Sequence, residues 1–318
     1  MRSDSMPPSI AVITPVRNGR QFLADAIQCV ESQAYSPLEL IIVDDGSTDG
    51  SLEVARKAGV RILETPGVGP AGARNAGIRA TVSDAIAFLD VDDLWPPRTL
   101  ERLVKALLAH PEAGFAQGLI RNFRMLEDGS KRFFTHPYRF VNLGASLYRR
   151  KLFDTVGLLD ESLRVSEDVD FLTRCWESDI QRVLVNAVTL YYRRHSASMT
   201  AGVEGDGFGA VQVVKRRIDR IRRGLYDPRR PRIEPAIKYI GIGPPSQDDE
   251  TAHDYSGRPP VKFRVFWHEY LTWSHYRKEA LQCSYLRFLA ERWSAPSTWH
   301  VPVIGARRAF QKCLTLLR

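Results

Sequence analysis

Short apolar runs alternate with amphipathic stretches from Ile10 to about Phe115. The apolar runs predict strands at 9–14, 38–43, 60–63, 85–89 and 114–118. The stretches between them predict helices at 21–32, 51–58, 72–80 and 97–109. In the first of these, Phe22, Leu23, Ala26, Ile27 and Val30 recur at helical spacing and share one face. Strands that alternate with helices imply an α/β fold, a mostly parallel sheet flanked by helices. Such sheets bind ligands beyond the carboxyl ends of their strands. Acidic and glycine-rich residues gather at those ends: Asp44-Asp45-Gly46 after the second strand, Asp90-Val91-Asp92-Asp93 after the fourth.

Beyond residue 118 the pattern is looser. A distinct segment at 140–150, a turn at Gly157 and a helix opening near Ser166 are expected before about residue 200. We divide the chain into a polar, disordered N-terminus (1–9), a catalytic domain (10–200) and a helical C-terminal extension (201–318). Residues 10–118 would form a nucleotide-binding half of that domain, and 119–200 an acceptor-side half. In the extension, 215–232 is densely basic and 241–260 is a Pro/Gly/Asp linker. Residues 261–293 read as one long aromatic helix carrying Phe263, Phe266, Trp267, Tyr270 and Tyr285.

Composition narrows the partners. The 318 residues are 44% hydrophobic, enough for one large domain with an appendage. A net charge of +8 favours anionic partners. The four cysteines form no CxxC pair, which suits a reducing compartment. No signal-peptide core opens the sequence, and no apolar run approaches the ~20 residues that cross a bilayer. The expected location is cytoplasmic, with a peripheral contact at the inner face of the membrane through 215–232. That basic segment reads either as an amphipathic helix on anionic lipid or as a helix packed on the catalytic domain. Nucleic acid is not an expected partner, because no reader motif accompanies the charge.

Three motifs carry candidate chemistry. Asp90 and Asp92 repel each other unless a cation lies between them, and a hard divalent ion takes such oxygen ligands; a solvated acidic turn is the plain alternative. Asp44-Asp45 is either an Asx-type turn before a helix or a pair in which one carboxylate accepts from a base N–H while the other holds the loop. Gly67-Val68-Gly69-Pro70-Ala71-Gly72 spells GxGxxG, which admits an NAD-dependent oxidoreductase. Its place after the third strand and Pro70 within it favour a glycine loop over a nucleotide, with Arg74 on the following helix reaching its phosphate or base.

Taken in order, these residues resemble family 2 glycosyltransferases of the GT-A fold. Val12 to Gly19 resembles the family's opening strand, Ile41 to Asp49 its nucleotide signature, and Gly72 to Gly77 its Ala-Arg-Asn helix. Phe88 to Asp93 is similar to the metal-binding element, and 156–161 and 166–170 are similar to the acceptor-side motifs. The resemblance implies that Thr14, Pro15 and Asp45 frame a uracil, with Gly67 in the loop above it and Arg74 beside the base or diphosphate. It implies Asp90 near the ribose and metal, Asp92 as the direct ligand of Mn2+ or Mg2+, and Asp168 as catalytic base. Tyr192-Arg193-Arg194-His195 resembles a later segment that helps bind the diphosphate or metal, His195 being its nucleotide-binding residue; a surface basic cluster is the plain alternative. The implied activity is inverting transfer of a sugar, from a UDP-sugar in the first instance, to a saccharide or lipid-linked acceptor in glycan synthesis. A non-catalytic sugar-nucleotide-binding module is the third reading, and its mark, a lost base or ligand, is missing here.

Overall fold

The computed structural model describes residues 7–196, 198 and 210–227. The linker at 241–260, the aromatic helix at 261–293 and most of the expected N-terminal tail lie outside the described residues. Residues 8 and 9 are anchored: Ser9 donates its N–H to Asp84 Oδ2 at 2.8 Å, and the Tyr35 hydroxyl donates to Pro8 O at 2.8 Å.

The first half runs β1 (Ile10–Val16), α1 (Arg20–Glu31), β2 (Leu38–Asp44), α2 (Ser51–Ala58), β3 (Arg61–Glu64), α3 (Gly69–Ala80), β4 (Ala85–Phe88) and α4 (Thr99–Ala109). The second half adds β5 (Ala113–Met125), β6 (Lys131–Phe133), β7 (Ser146–Arg149), α5 (Arg150–Val156), α6 (Glu167–Glu177), β8 (Gln181–Arg193) and α7 (Ala210–Arg222). The eight strands make one sheet in the order β3-β2-β1-β4-β7-β5-β6, with β8 on the other side of β5. Pairings among β1 to β4 and between β5 and β8 are parallel; β7 and β6 pair with their neighbours antiparallel.

Central strands are apolar on both faces because helices cover both. Along β1, Ala11 and Ile13 pack with Phe88, Phe153 and Phe171 on the α3, α5 and α6 side. Ile10 and Val12 pack with Ala26, Val30, Leu100 and Leu103 on the α1 and α4 side. This period of two turns one apolar run into two core layers. Helix α3 lies tight against β1: a Cβ at Gly77 would sit 2.5 Å from Ile13 Cγ2. That close approach seats Arg74, one turn earlier, at the carboxyl end of the sheet.

Several boundaries differ from the sequence reading: helix α3 starts at Gly69 instead of residue 72, and the 140–150 segment narrows to β7. Helix α4 starts at Thr99 and not at residue 97, because Arg98 turns left-handed (φ 63°) and buried Gln33 Oε1 accepts the Thr99 N–H at 2.9 Å. Strand β5 runs 13 residues instead of five. Strand β8, also 13 residues, was not anticipated; its first half is exposed or half-buried throughout, and Asn186 interrupts its apolar residues after Val183-Leu184-Val185.

Helix α7 carries the start of the basic segment. Val213, Val214 and Arg217 are buried, and Arg217 stacks at 5.2 Å on both Trp176 and Tyr226. Arg220 bridges Glu177 (2.6 Å) and Asp170 (2.9 Å), and Arg216 meets Asp160 at 2.9 Å. These arginines pack the helix on the acidic flank of α6, the second of the two sequence readings, while Lys215, Arg222 and Arg223 face outward. Cys29 and Cys175 are free and buried. Among the described residues no helix is long and apolar enough to cross a membrane.

Candidate active site

The carboxyl ends of β2, β1 and β4 lie side by side: Val16 pairs with Asp44, and Leu89 N–H donates to Ile13 O at 3.1 Å. Asp45 and Asp90 therefore flank the end of β1 on one edge of the sheet, about 10 Å apart at the usual strand spacing. Loop 17–19 closes down beside them, since a Cβ at Gly19 would meet Val91 Cγ1 at 2.8 Å.

Asp45 is buried and clamps the glycine loop. Its Oδ1 accepts from the Thr65 hydroxyl and the Val68 N–H, both at 2.7 Å, and its Oδ2 accepts from the Gly69 N–H at 2.8 Å. The free N–H groups at the start of α3 thus already hold a carboxylate, the position a dinucleotide pyrophosphate would need. This occupancy weighs against the oxidoreductase reading of residues 67–72. Gly67, at φ 80°, lies against Arg17 Nη1 and packs on Gly46. Thr14 and Asp44 point to the α1–α2 side, where the Thr14 hydroxyl and Asp44 Oδ1 are buried without a partner among the described residues. Pro15 pairs with Val43 beside them.

Arg74 links the two halves of the domain. Its buried guanidinium donates to Asp90 Oδ1 at 2.5 Å and to Glu167 Oε1 at 2.6 Å. Asp90 lies at the start of the loop after β4 and Glu167 opens α6, so a single side chain ties this strand-end acid to the residue before Asp168. The two acidic partners hold the Arg74 cation charged despite its burial. Asn75 adds a second tie: its Oδ1 accepts the Leu159 N–H at 3.0 Å, and its Nδ2 donates to Leu159 O and Glu161 Oε1, both at 2.9 Å.

The loop after Asp90 is fastened to the end of β8. Asp92 Oδ2 lies 2.9 Å from His195 Nε2. Asp93 Oδ1 accepts the Arg193 N–H at 2.8 Å, and Arg193 Nε donates to Asp92 O at 2.7 Å. Phe22 packs on His195 with ring centroids 4.7 Å apart and also lies under Arg193. Burial and then the charge of Asp90 push the Asp92 carboxyl up, against the pull of His195. Asp93 is raised further by deeper burial and both neighbouring aspartates. Two carboxylates that strain each other in this way suit a cation. Among the described residues, however, no group of three or more His, Cys, Asp or Glu could hold a metal alone.

Asp168 sits half-buried in the first turn of α6, its Oδ1 accepting the Val169 N–H at 2.8 Å. Burial, reinforced by Glu167, pushes its carboxyl up to about 7, while the Val169 N–H and Arg74 oppose the rise. That value suits a group that must take a proton near neutrality. The structure thus gathers Arg74, Asp90 and Asp168 around one clasp, joins Asp92 to His195, and places Asp45 across the end of β1. Glu167, Arg193 and Asp93 lie within motifs noted in the sequence, but none was given a role of its own. Glu167 was visible only as an acidic neighbour of Asp168, and nothing local marks Arg193 as a fastener.

Comparison with known proteins bears on the family and the fold. Residues 11–158 match the model of glycosyl transferase family 2. The uncharacterized glycosyltransferase EpsJ of Bacillus subtilis is 30% identical over 223 residues, 61% of this chain and 64% of EpsJ. The chain spans between 32% and 64% of the length of three curated relatives. Residues 1–349 of Staphylococcus aureus TarS, solved with UDP-GlcNAc, share the fold at a TM-score of 0.53 and 19% identity, over 65% of this chain and 64% of that one. The mannosyltransferase PcManGT of Pyrobaculum calidifontis, solved with GDP-Man and Mn2+, does so at 0.51 and 18%, over 98% of this chain and 81% of that one. The family match begins inside β1 and runs through the Asp45, Arg74, Asp90 and Asp92 motifs to the loop before α6, which identifies residues 11–158 as a glycosyl transferase family 2 domain.

Proposed function

We propose that the chain is an inverting glycosyltransferase that moves a sugar from a nucleoside diphosphate donor, UDP-linked in the first instance, to an acceptor hydroxyl in glycan synthesis. The observation that carries this reading is the Arg74 clasp, which joins the acid beside the donor diphosphate to the helix that bears the base. TarS, with UDP-GlcNAc, and the mannosyltransferase, with GDP-Man, support a nucleotide-sugar donor on this fold.

Asp168 takes the acceptor hydroxyl proton as attack begins. The scheme uses one base and no protein nucleophile, so a single displacement inverts the anomeric carbon. Arg74 and His195 face the charge that grows on the departing diphosphate. Asp90 and Asp92 fit a divalent ion, which the mannosyltransferase carries as Mn2+. The mutual strain of the two aspartates supports that fit, and their small number suits an ion completed by substrate phosphates rather than by a protein cage. When bound, such an ion neutralises the diphosphate.

Pro15 and Asp45 line the base end in this reading, while Thr14, fully buried on the α1–α2 side, supports the strand beneath them and does not meet the base. Asp45 Oδ2 accepts a single bond here and retains a lone pair for a pyrimidine N3–H; Gly67 lets the loop cross it. Titration of UDP into the purified chain with and without Mn2+ tests the reading. Binding that strengthens with Mn2+ and is lost in Asp92→Ala supports it; UDP binding indifferent to both would sink the metal assignment.

A further inference from the structure

Three arginines stand in a row across neighbouring strands at the active-site end of the sheet. Arg124 on β5 is directly opposite Arg132 on β6. On the other side of β5, Arg193 pairs with Phe123. The Arg194 N–H then donates to Phe123 O at 2.9 Å, which carries the pairing one step on, to Arg124. Strand spacing puts the row, Arg194–Arg124–Arg132, about 10 Å from end to end. All three side chains are exposed, and among the described residues none has a carboxylate partner.

The row behind them is aromatic. Arg194 lies over the Tyr192 ring at 5.7 Å and Arg124 over the Phe134 ring at 5.3 Å. Tyr192 and Phe134 flank Asn122, whose Oδ1 accepts the Tyr138 hydroxyl at 2.6 Å. Residues two apart share a face, so the rings and the arginines lie on one side of the three strands. Rings hold the guanidinium planes without neutralising them.

Like charges directly opposite across a hairpin destabilise it. The acids at the hairpin tip do not relieve Arg124 and Arg132: Asp128 is tied to the Ser130 N–H at 2.8 Å. One end of the row adjoins His195, which touches Asp92, and the other lies two strands farther out, beyond the reach of a donor diphosphate held there.

We propose that Arg194, Arg124 and Arg132 form a binding site for a phosphate group on the acceptor, so that the second substrate of this enzyme is an anionic, phosphate-bearing glycan rather than a neutral one. The assignment rests on the sugar-transfer reading and deepens it. A guanidinium row matches phosphate oxygens in geometry and charge. A lipid surface fits less well, because the row lies in line with the His195 end of the site.

The test uses the full chain, titrated calorimetrically with glucose 6-phosphate, with glucose as neutral control, in the presence and absence of saturating UDP and Mn2+. Glucose 6-phosphate binds whether or not UDP is present and glucose does not. The double variant Arg124→Gln/Arg132→Gln weakens that binding at least about tenfold, for two lost charge-assisted contacts. It leaves UDP affinity within twofold and does not lower the Tm, because it removes a repulsive pair. Displacement of glucose 6-phosphate by UDP would overturn the proposal, since the phosphate would then be reading the donor site. Unchanged affinity in the double variant would overturn it too. So would sedimentation of the wild type, but not the variant, with phosphatidylglycerol vesicles when glucose 6-phosphate fails to bind. UDP affinity is read separately, so failure of the sugar-transfer reading itself shows as loss of UDP binding, a different result.

Discussion

Removing the Arg74 guanidinium tests whether one side chain couples the donor and acceptor halves. In Arg74→Gln the two partners lose unequal amounts. Glu167, at 8% side-chain exposure, is left as a buried, unpaired carboxylate, and breaking such a pair costs about 3–5 kcal/mol. Asp90, at 36% exposure, is screened by water, and its share is about 1 kcal/mol or less. A total near 4 kcal/mol should lower the Tm by roughly 10 °C. A double-mutant cycle of Arg74→Gln with Glu167→Gln, followed by urea unfolding, isolates the pair and should return a coupling of about 2 kcal/mol or more. The variant also bears on catalysis. Arg74 holds the Asp168 carboxyl down against burial, so its loss moves that carboxyl above the value of about 7 it has in the wild type. The base works deprotonated, so the rate falls as pH drops through that value, and the acid limb of kcat/KM must shift to higher pH in Arg74→Gln. A coupling below about 0.5 kcal/mol, or an acid limb that stays in place, would refute the clasp.

Other outcomes follow from the same contacts. Asp168→Asn should keep UDP affinity within about twofold and lose transfer by a factor of 10² or more, as expected for a lost general base; single-turnover kinetics beside UDP titration would show it. Arg220→Gln removes the shared partner of Glu177 and Asp170, both buried, and should destabilise by about 3 kcal/mol in urea unfolding. Gly77→Ala forces a methyl to 2.5 Å from Ile13 Cγ2 and should cost about 1–3 kcal/mol, visible as a lower Tm.

The sequence made some parts of this molecule legible and hid others for physical reasons. Strands β1, β2 and β4 were readable because burial on both faces demands apolar runs such as Ile10-Ala11-Val12-Ile13. Strand β8 was hidden because its first half is half-exposed and carries Gln181, Arg182 and Asn186 among its apolar residues. Asp45 was anticipated as a site residue, but its hold on the Val68 and Gly69 N–H groups depends on a loop 23 residues away, which no local pattern encodes. Arg74 was anticipated beside a ligand, whereas its second partner, Glu167, lies 93 residues on. The basic segment at 215–232 read either as a lipid-facing helix or as a packed one, because charge counts do not say where charges point. In the fold, Arg217 and Arg220 find Trp176, Glu177 and Asp170.

The central claim is that this crevice activates a nucleotide-sugar through a cation-binding acidic pair and a single base. The most direct measurement incubates the purified chain with a panel of UDP-, dTDP- and GDP-sugars, with Mn2+ or with a chelator, and follows nucleoside diphosphate release. The account predicts turnover of a UDP-sugar that stops with the chelator, in Asp92→Ala and in Asp168→Asn. Turnover that persists undiminished in both variants, or release from no nucleotide-sugar at all, would contradict it.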